Sequence, residues 1–206
     1  MMFSLIKKLS NKYCRQWINK RLRAKLRNHQ MSVISSNCNG ALILHDLGEA
    51  FRSPFVNLYL DPADFIKYLQ QPRHYQAQEL FFVESDKGYP VAKLDDIWLY
   101  FVHYHSEQDA REKWQQRSAR INWDNVFVMM TARDGFTEAD LRAFDALPYA
   151  HKVVFVHKPY PDIKSACYIK GFEQDYQVGD LYEYSGCLGK KYYDQFDYVS
   201  WFNQKC

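Results

Sequence analysis

Two short apolar runs constrain the fold of this chain more than anything else in it. Val126-Phe127-Val128-Met129-Met130-Thr131 and Val153-Val154-Phe155-Val156 are almost unbroken by polar residues. Runs this short, without polar alternation and bounded by turn signals, read as strands covered on both faces, as in a parallel sheet flanked by helices. Elsewhere short apolar runs alternate with amphipathic segments, which is the pattern of an α/β protein.

The alternation predicts a strand over 32–36, a helix over 41–51 and a strand over 55–60. A helix then runs from Pro62 to about Gln70, with Asp61 as N-cap and the proline in its first turn. Residues 79–84 and 91–93 predict two strands about the turn Ser85-Asp86-Lys87-Gly88, and 97–104 a third. Ser106, with Asp109 three residues on, caps a long helix to about Arg120. Thr137-Glu138-Ala139-Asp140 opens another helix, which Pro148 closes. The expected fold is α/β: a mixed, mostly parallel sheet flanked by helices, with a β-hairpin subdomain near 79–104 and an N-terminal basic amphipathic helix. In 206 residues this makes one sizeable core, a single α/β domain over residues 31–206 preceded by an arm over residues 1–30.

Charge sets the arm apart. Residues 1–30 carry nine Lys or Arg and no acid, whereas the other 176 residues hold 18 basic and 24 acidic side chains. Phe3, Ile6, Leu9, Tyr13 and Trp17 recur at three- and four-residue intervals on one stripe of a helix, while Ile18, Leu22 and Leu26 form a second row rotated around it. Such a helix can lie in an anionic lipid headgroup layer or dock on its own domain, and the pattern weighs the two equally. No recognition motif accompanies the charge and the body is acidic, so nucleic acid is not expected as a partner. No stretch approaches the roughly 18 apolar residues of a membrane span, and no secretory leader pattern opens the chain. The five cysteines, Cys14, Cys38, Cys167, Cys187 and Cys206, are scattered without a C-x-x-C pair, which favours reduced thiols and argues against structural zinc. The expected location is the cytoplasm, with the arm either docked on its own domain or in peripheral contact with the inner face of the membrane.

In an open α/β sheet, ligands sit beyond the carboxyl ends of the strands. Four stretches are candidates for that place. In Asn37-Cys38-Asn39-Gly40 a helix N-terminus would favour an anion or lower a thiol pKa, and Gly40 would admit a phosphate; a plain tight turn is the other reading. His103 and His105, two apart on a predicted strand, share a face and can serve as acid, base or metal pair, although no third ligand stands at a metal-binding spacing. Arg117 and Arg120, three apart on one helix, form a fork for diphosphate or carboxylate, whereas Arg111 reads as an i, i+4 partner of Glu107. The polar corner Asn122-Trp123-Asp124-Asn125 follows them. Arg133-Asp134-Gly135 comes directly after a buried strand, where it reads equally as a turn or as a ligand for a sugar hydroxyl or phosphate.

Taken in order, Ser36-Asn37-Cys38 with Gly40, Ser53-Pro54-Phe55, Tyr89-Pro90-Val91 with Leu94 and Asp96, His103-Tyr104, Glu107, Ala110, Trp114, Arg117, Arg120, Ile121 to Asn125 and Arg133-Asp134-Gly135 resemble a bacterial family known as domain of unknown function 1919. The resemblance covers roughly residues 30–160. It departs from the family pattern at Asn39 and Ala41, where a Trp and a second Gly are usual, and His105 has no counterpart in that pattern. The family recurs among capsule and exopolysaccharide biosynthesis proteins, so the resemblance implies surface-polysaccharide biology on an α/β fold.

On that basis the expected function is a glycosyltransferase-like enzyme using a nucleotide sugar or another phosphate-linked donor. Asn37 and Gly40 would approach the phosphate, Arg117 or Arg120 would neutralise the leaving group, and Asn122, Asp124, Asn125 and Arg133 would contribute to substrate binding. His103 or Asp134 would act as base toward an acceptor hydroxyl. One alternative is acyl transfer or ester hydrolysis through Cys38 with His103. Another is a non-catalytic partner in glycan assembly that presents aromatic stacking surfaces. No metal and no particular cofactor is implied.

Overall fold

The computed structural model describes residues 2–205, with side chains described for residues 7–204. The Phe3 and Ile6 side chains and Cys206 lie outside the described residues. The chain opens with helix α1, Met2–Lys25, in a stretch free of Gly and Pro whose last turn carries Arg23 and Lys25, the charge sign that suits a helix C-terminus. Strand β1, Ser32–Ser35, leads into α2, Asn39–Leu47. Gly48, left-handed at φ 73°, ends that helix, four residues short of the expected Phe51. Helices α3, Pro62–Gln70, and α4, Pro72–Gln76, follow, each with proline in its first turn. Strands β2, Phe81–Val83, β3, Val91–Leu94, and β4, Ile97–Tyr100, come next, and then α5, Glu107–Ser118. The second half holds β5, Val126–Thr131, α6, Glu138–Asp145, β6, Lys152–Val156, β7, Ala166–Tyr168, and a short α7, Tyr198–Phe202.

The strands form two sheets. β1, β5, β6 and β7 lie in that order with every neighbouring pair parallel, and β2, β3 and β4 form an antiparallel meander. All six residues of β5 are buried, as its unbroken apolar run requires, with helices packed on the sheet. α2 packs on β1, α6 on β6, and α1 on α2.

Local chemistry explains most boundaries. Thr137 and Asp140 make a complete capping box at the start of α6, and the Ser106 hydroxyl accepts from the Asp109 amide at the start of α5 (3.1 Å). Asp61 occupies the N-cap of α3, but its side chain makes no cap hydrogen bond. The expected Glu107–Arg111 pair is replaced: Arg111 donates to the Leu80 carbonyl and lies over the Phe82 ring.

The predicted strand over 55–60 does not form. Phe55, Val56, Leu58 and Leu60 are all buried, so the apolar signal marked core, but Val56 turns back to the Pro54 carbonyl and Asn57 sits at φ 62°. The segment joins the antiparallel sheet through an isolated two-hydrogen-bond bridge between Tyr59 and Tyr100, and the Leu60 amide donates to the Ser36 carbonyl just past β1 (3.1 Å). Phe55 meets Phe65, Tyr68 and Trp114 at centroid distances of 5.9, 4.7 and 5.8 Å, a cluster in which each aromatic pair contributes about 0.5–1.5 kcal/mol beyond burial.

Candidate functional site

The carboxyl edge of the parallel sheet meets the end of the antiparallel sheet, and loops from both enclose a polar cavity of about 350 Å³. Asn37, Cys38 and Asn39 supply one wall from the loop after β1, and Arg133 and Asp134 another from the loop after β5. His103 enters from the turn after β4, Tyr59 from the irregular 51–60 segment, and Asp180 and Tyr182 from the C-terminal segment.

The first wall is held by its own hydrogen bonds. The Asn37 side chain accepts from the Asn39 amide (3.1 Å), and the buried Asn39 carboxamide donates to Thr131 Oγ1 (3.1 Å), tying α2 to the end of β5. The Gly40 amide donates to Ser35 Oγ (3.3 Å). A Cβ on Gly40 would stand 2.7 Å from Ser35 Cβ and 3.0 Å from Val33 Cγ1. Gly40 therefore lets α2 approach β1, and the amides of Asn39 and Gly40 already have acceptors; the phosphate cradle expected here is not what the loop builds. Burial pushes the Cys38 thiol up, outweighing a backbone hydrogen bond from Asn57 and the charge of Arg133. The thiol is the dominant form at neutral pH, the reverse of what a nucleophilic cysteine at a helix start needs.

The opposite wall is strained and charged. Asp134 adopts φ 58° and its amide donates to Gln177 Oε1 (3.0 Å). Of the three described non-glycine residues with positive φ, Asp134 lines this cavity, Asn57 accepts through its carbonyl from the amide of the cavity residue His103 (3.3 Å), and Asp95 makes the β3–β4 turn. Such conformations cost about 1–3 kcal/mol each and concentrate at functional sites. Arg133 pairs with Asp134 (3.2 Å) and Asp180 (2.7 Å); burial opposes its charge, but the two carboxylates hold its pKa above the usual value. Nearby, Asp61 accepts from the Tyr100 hydroxyl (3.3 Å). Burial, with the charges of Asp64 and Asp134, pushes its carboxyl up. Tyr59 stacks on Tyr100 at 4.5 Å and 11°, and Tyr182 stands 41 % exposed at the mouth, so both a rigid and an accessible aromatic face are present.

Arg133 also lines a second cavity of about 290 Å³ with Thr137, His157, Lys158, Tyr160 and Tyr176. His157 and Lys158 come directly after β6, again at the carboxyl edge. Burial and the adjacent Lys158 push the His157 pKa down, which keeps the imidazole neutral. Lys158 makes no ion pair among the described residues.

Five of the residues singled out from sequence, Asn37, Cys38, His103, Arg133 and Asp134, thus share one cavity. The others lie elsewhere. His105 borders a separate open hollow beside Glu84, Asp86 and Glu107, so the two histidines do not converge. Arg117 donates to the Tyr104 hydroxyl (2.7 Å), which in turn donates to the Val56 carbonyl, and its guanidinium faces the Phe51 ring; it braces the 51–60 segment. Arg120 is exposed in the turn two residues past the end of that helix. Asn122 donates from its amide to Ser32 Oγ, Asn125 and Asn28 exchange side-chain hydrogen bonds, and the Asp124 amide donates back to Asn122. That corner joins the arm to the amino edge of the sheet, away from the cavity. A residue just before a parallel strand always lies at that edge, and this was the available signal. Asp180 and Tyr182 were missed because they sit in an irregular segment without periodicity, and Tyr59 because its segment reads as a strand; His157 and Lys158 directly follow β6, so the carboxyl-end rule was the signal that could have found them. Among the described residues no group of three or more His, Cys, Asp or Glu is arranged to hold a metal ion.

A family model described as Domain of unknown function (DUF1919) matches residues 9–203, extending the likeness seen over residues 30–160 in both directions. A protein of Haemophilus influenzae, described only as an uncharacterized protein, is 60% identical over 201 residues, 98% of each chain.

Proposed function

The chain belongs to the domain of unknown function 1919 family, and from that premise we propose that it is a surface-polysaccharide biosynthesis transferase using a nucleotide sugar or another phosphate-linked donor. The observation that carries this reading is Arg133, which stands between two polar cavities at the carboxyl edge of a parallel sheet. The cavity lined by Arg133, Lys158 and His157 suits the donor phosphate, with two cations to take up charge on the leaving group. The cavity lined by Asn37, Asn39, Asp134 and Tyr182 suits the hydroxyls and apolar face of an acceptor sugar, since amides and carboxylates bind hydroxyls and an aromatic ring stacks on the face. Asp134 or His103 accepts the acceptor hydroxyl's proton as the new glycosidic bond forms and the donor's sugar–phosphate oxygen bond breaks. Arg117, Arg120 and Gly40, given roles in the sequence-based scheme, have none here. The protein would work on the cytoplasmic side, at the inner face of the membrane where lipid-linked glycan is built.

A thiol mechanism is the weaker alternative, because burial raises the Cys38 pKa. A screen of nucleotide sugars and sugar phosphates by thermal shift tests the proposal. A donor at 100 times its Kd should stabilise by about 2.7 kcal/mol, a rise of several degrees in Tm for a chain of this size. Arg133→Ala and Lys158→Ala should each remove that shift, while Cys38→Ser keeps both the shift and turnover. If no donor shifts the Tm, the transferase reading fails. A shift from glycan alone without turnover would support a binding partner instead.

A further inference from the structure

Helix α1 has two faces, and the fold uses only one. Asn11 donates to the Gly186 carbonyl (2.9 Å) and accepts from the Gly189 amide (2.8 Å). Arg15 reaches Asp46 (2.7 Å) and Asp194 (2.5 Å), Asn19 reaches Asp46 (3.0 Å), and Leu26 enters the core. The helix cannot roll, so its other face is held outward. Leu9, Tyr13 and Trp17, an i, i+4 row, are 60, 81 and 60 % exposed there.

A second element joins them. Leu188 is 69 % exposed, and its loop is pressed against α1: a Cβ on Gly189, which sits at φ 75°, would stand 2.5 Å from the Arg15 backbone nitrogen. Between this loop and the helix runs an apolar groove of about 700 Å³, edged by Lys20, Arg21 and Lys190 with no acidic residue in its lining. The Arg21 guanidinium lies over the Trp17 ring at 4.6 Å.

We propose that this composite face docks the protein on an anionic lipid bilayer, with Trp17, Tyr13, Leu9 and Leu188 entering the headgroup layer and the surrounding Lys and Arg contacting lipid phosphates. Charge decides the occupant. Of the nine basic residues in residues 1–30 all but the buried Arg15 are exposed, and no acid accompanies them; they complement an anionic surface, whereas a second copy joined through the same face would set the two basic arms against each other. Amphipathic Trp and Tyr rings beside basic side chains are the composition of interfacial helices. This surface is separate from both cavities and does not rest on the transferase reading.

Co-sedimentation of the full chain with vesicles tests it. Vesicles containing phosphatidylglycerol should bind the protein at low salt, pure phosphatidylcholine should bind it far less, and raised salt should release it. Trp17→Glu with Leu188→Glu should lower the partition coefficient by about tenfold or more, as should Arg21→Glu with Lys190→Glu. All four side chains are at the surface, so the melting curve should stay that of the parent. Failure to bind anionic vesicles at low salt overturns the proposal, as does binding that survives Trp17→Glu with Leu188→Glu. So does a dimer, seen by sedimentation velocity, that those substitutions abolish while vesicle binding is absent. A donor-induced Tm shift unchanged in these variants would keep the two proposals apart.

Discussion

Gly40 has no room for a side chain, and that single fact separates two readings of its loop. If the glycine served to admit a phosphate, Gly40→Ala would leave stability alone and weaken donor binding. Because its Cβ would collide with Ser35 and Val33, the expected outcome is a loss of about 1–3 kcal/mol from overpacking, read as a lower urea midpoint. Other residues of the family pattern divide in the same way. Ser53, Phe55, Leu94, Ala110 and Trp114 are buried framework, and the Ser53 hydroxyl donates to the Val33 carbonyl. Asn37, Cys38, His103, Arg133 and Asp134 face the cavity. A motif read from sequence does not distinguish a side chain that packs from one that meets a ligand, since both are held in place by the same fold.

At the scale of elements, α1 is the part that departs most from its sequence pattern. Its stripe Leu9–Tyr13–Trp17 is the more hydrophobic, yet the domain takes the face carrying Asn11, Arg15 and Asn19. The attraction is Asp46 on α2, buried and approached by Arg15, Asn19, Lys191 and Tyr193. Burial alone would raise the Asp46 pKa, but hydrogen bonds from Tyr193 and Lys191 and the charge of Arg15 outweigh it and hold it at about 2. The folded value lies below the ordinary carboxylate value of about 3.9. The stabilisation is therefore present above about pH 4 and is lost as pH falls toward 2. Asp46→Asn should flatten the decline of stability across that window, measured by urea unfolding at a series of pH values. An unchanged slope would place the acid sensitivity in other carboxylates. The partner of Asp46 was not legible because Arg15 lies 31 positions away in sequence and Lys191 and Tyr193 about 145.

For the whole molecule, the arm is part of the fold. Removing residues 1–30 takes Arg15 from a buried ion pair, a change that costs about 3–5 kcal/mol, and uncovers the apolar surface that Leu26 and Leu22 occupy. The shortened chain should show a sharply lower Tm or lose its cooperative transition by circular dichroism; a melt like that of the parent would mean that residues 31–206 fold unaided. What the sequence determined by itself was whatever depends on neighbours along the chain. The parallel strands β5 and β6 follow from unbroken apolar runs, α5 and α6 from their capping residues, and the α/β class from the alternation of periods. Two of the site's walls, the loops after β1 and β5, follow from the rule that ligands gather at strand carboxyl ends. Tertiary structure alone decided which amphipathic face of α1 turns inward, that 55–60 packs as buried coil instead of a strand, and that Asp180 and Tyr182 from the distant C-terminal segment complete the cavity. The reason is physical: hydrophobic period and capping act within a few residues, whereas a buried ion pair or a shared cavity is set by which distant segments the sheet order brings together.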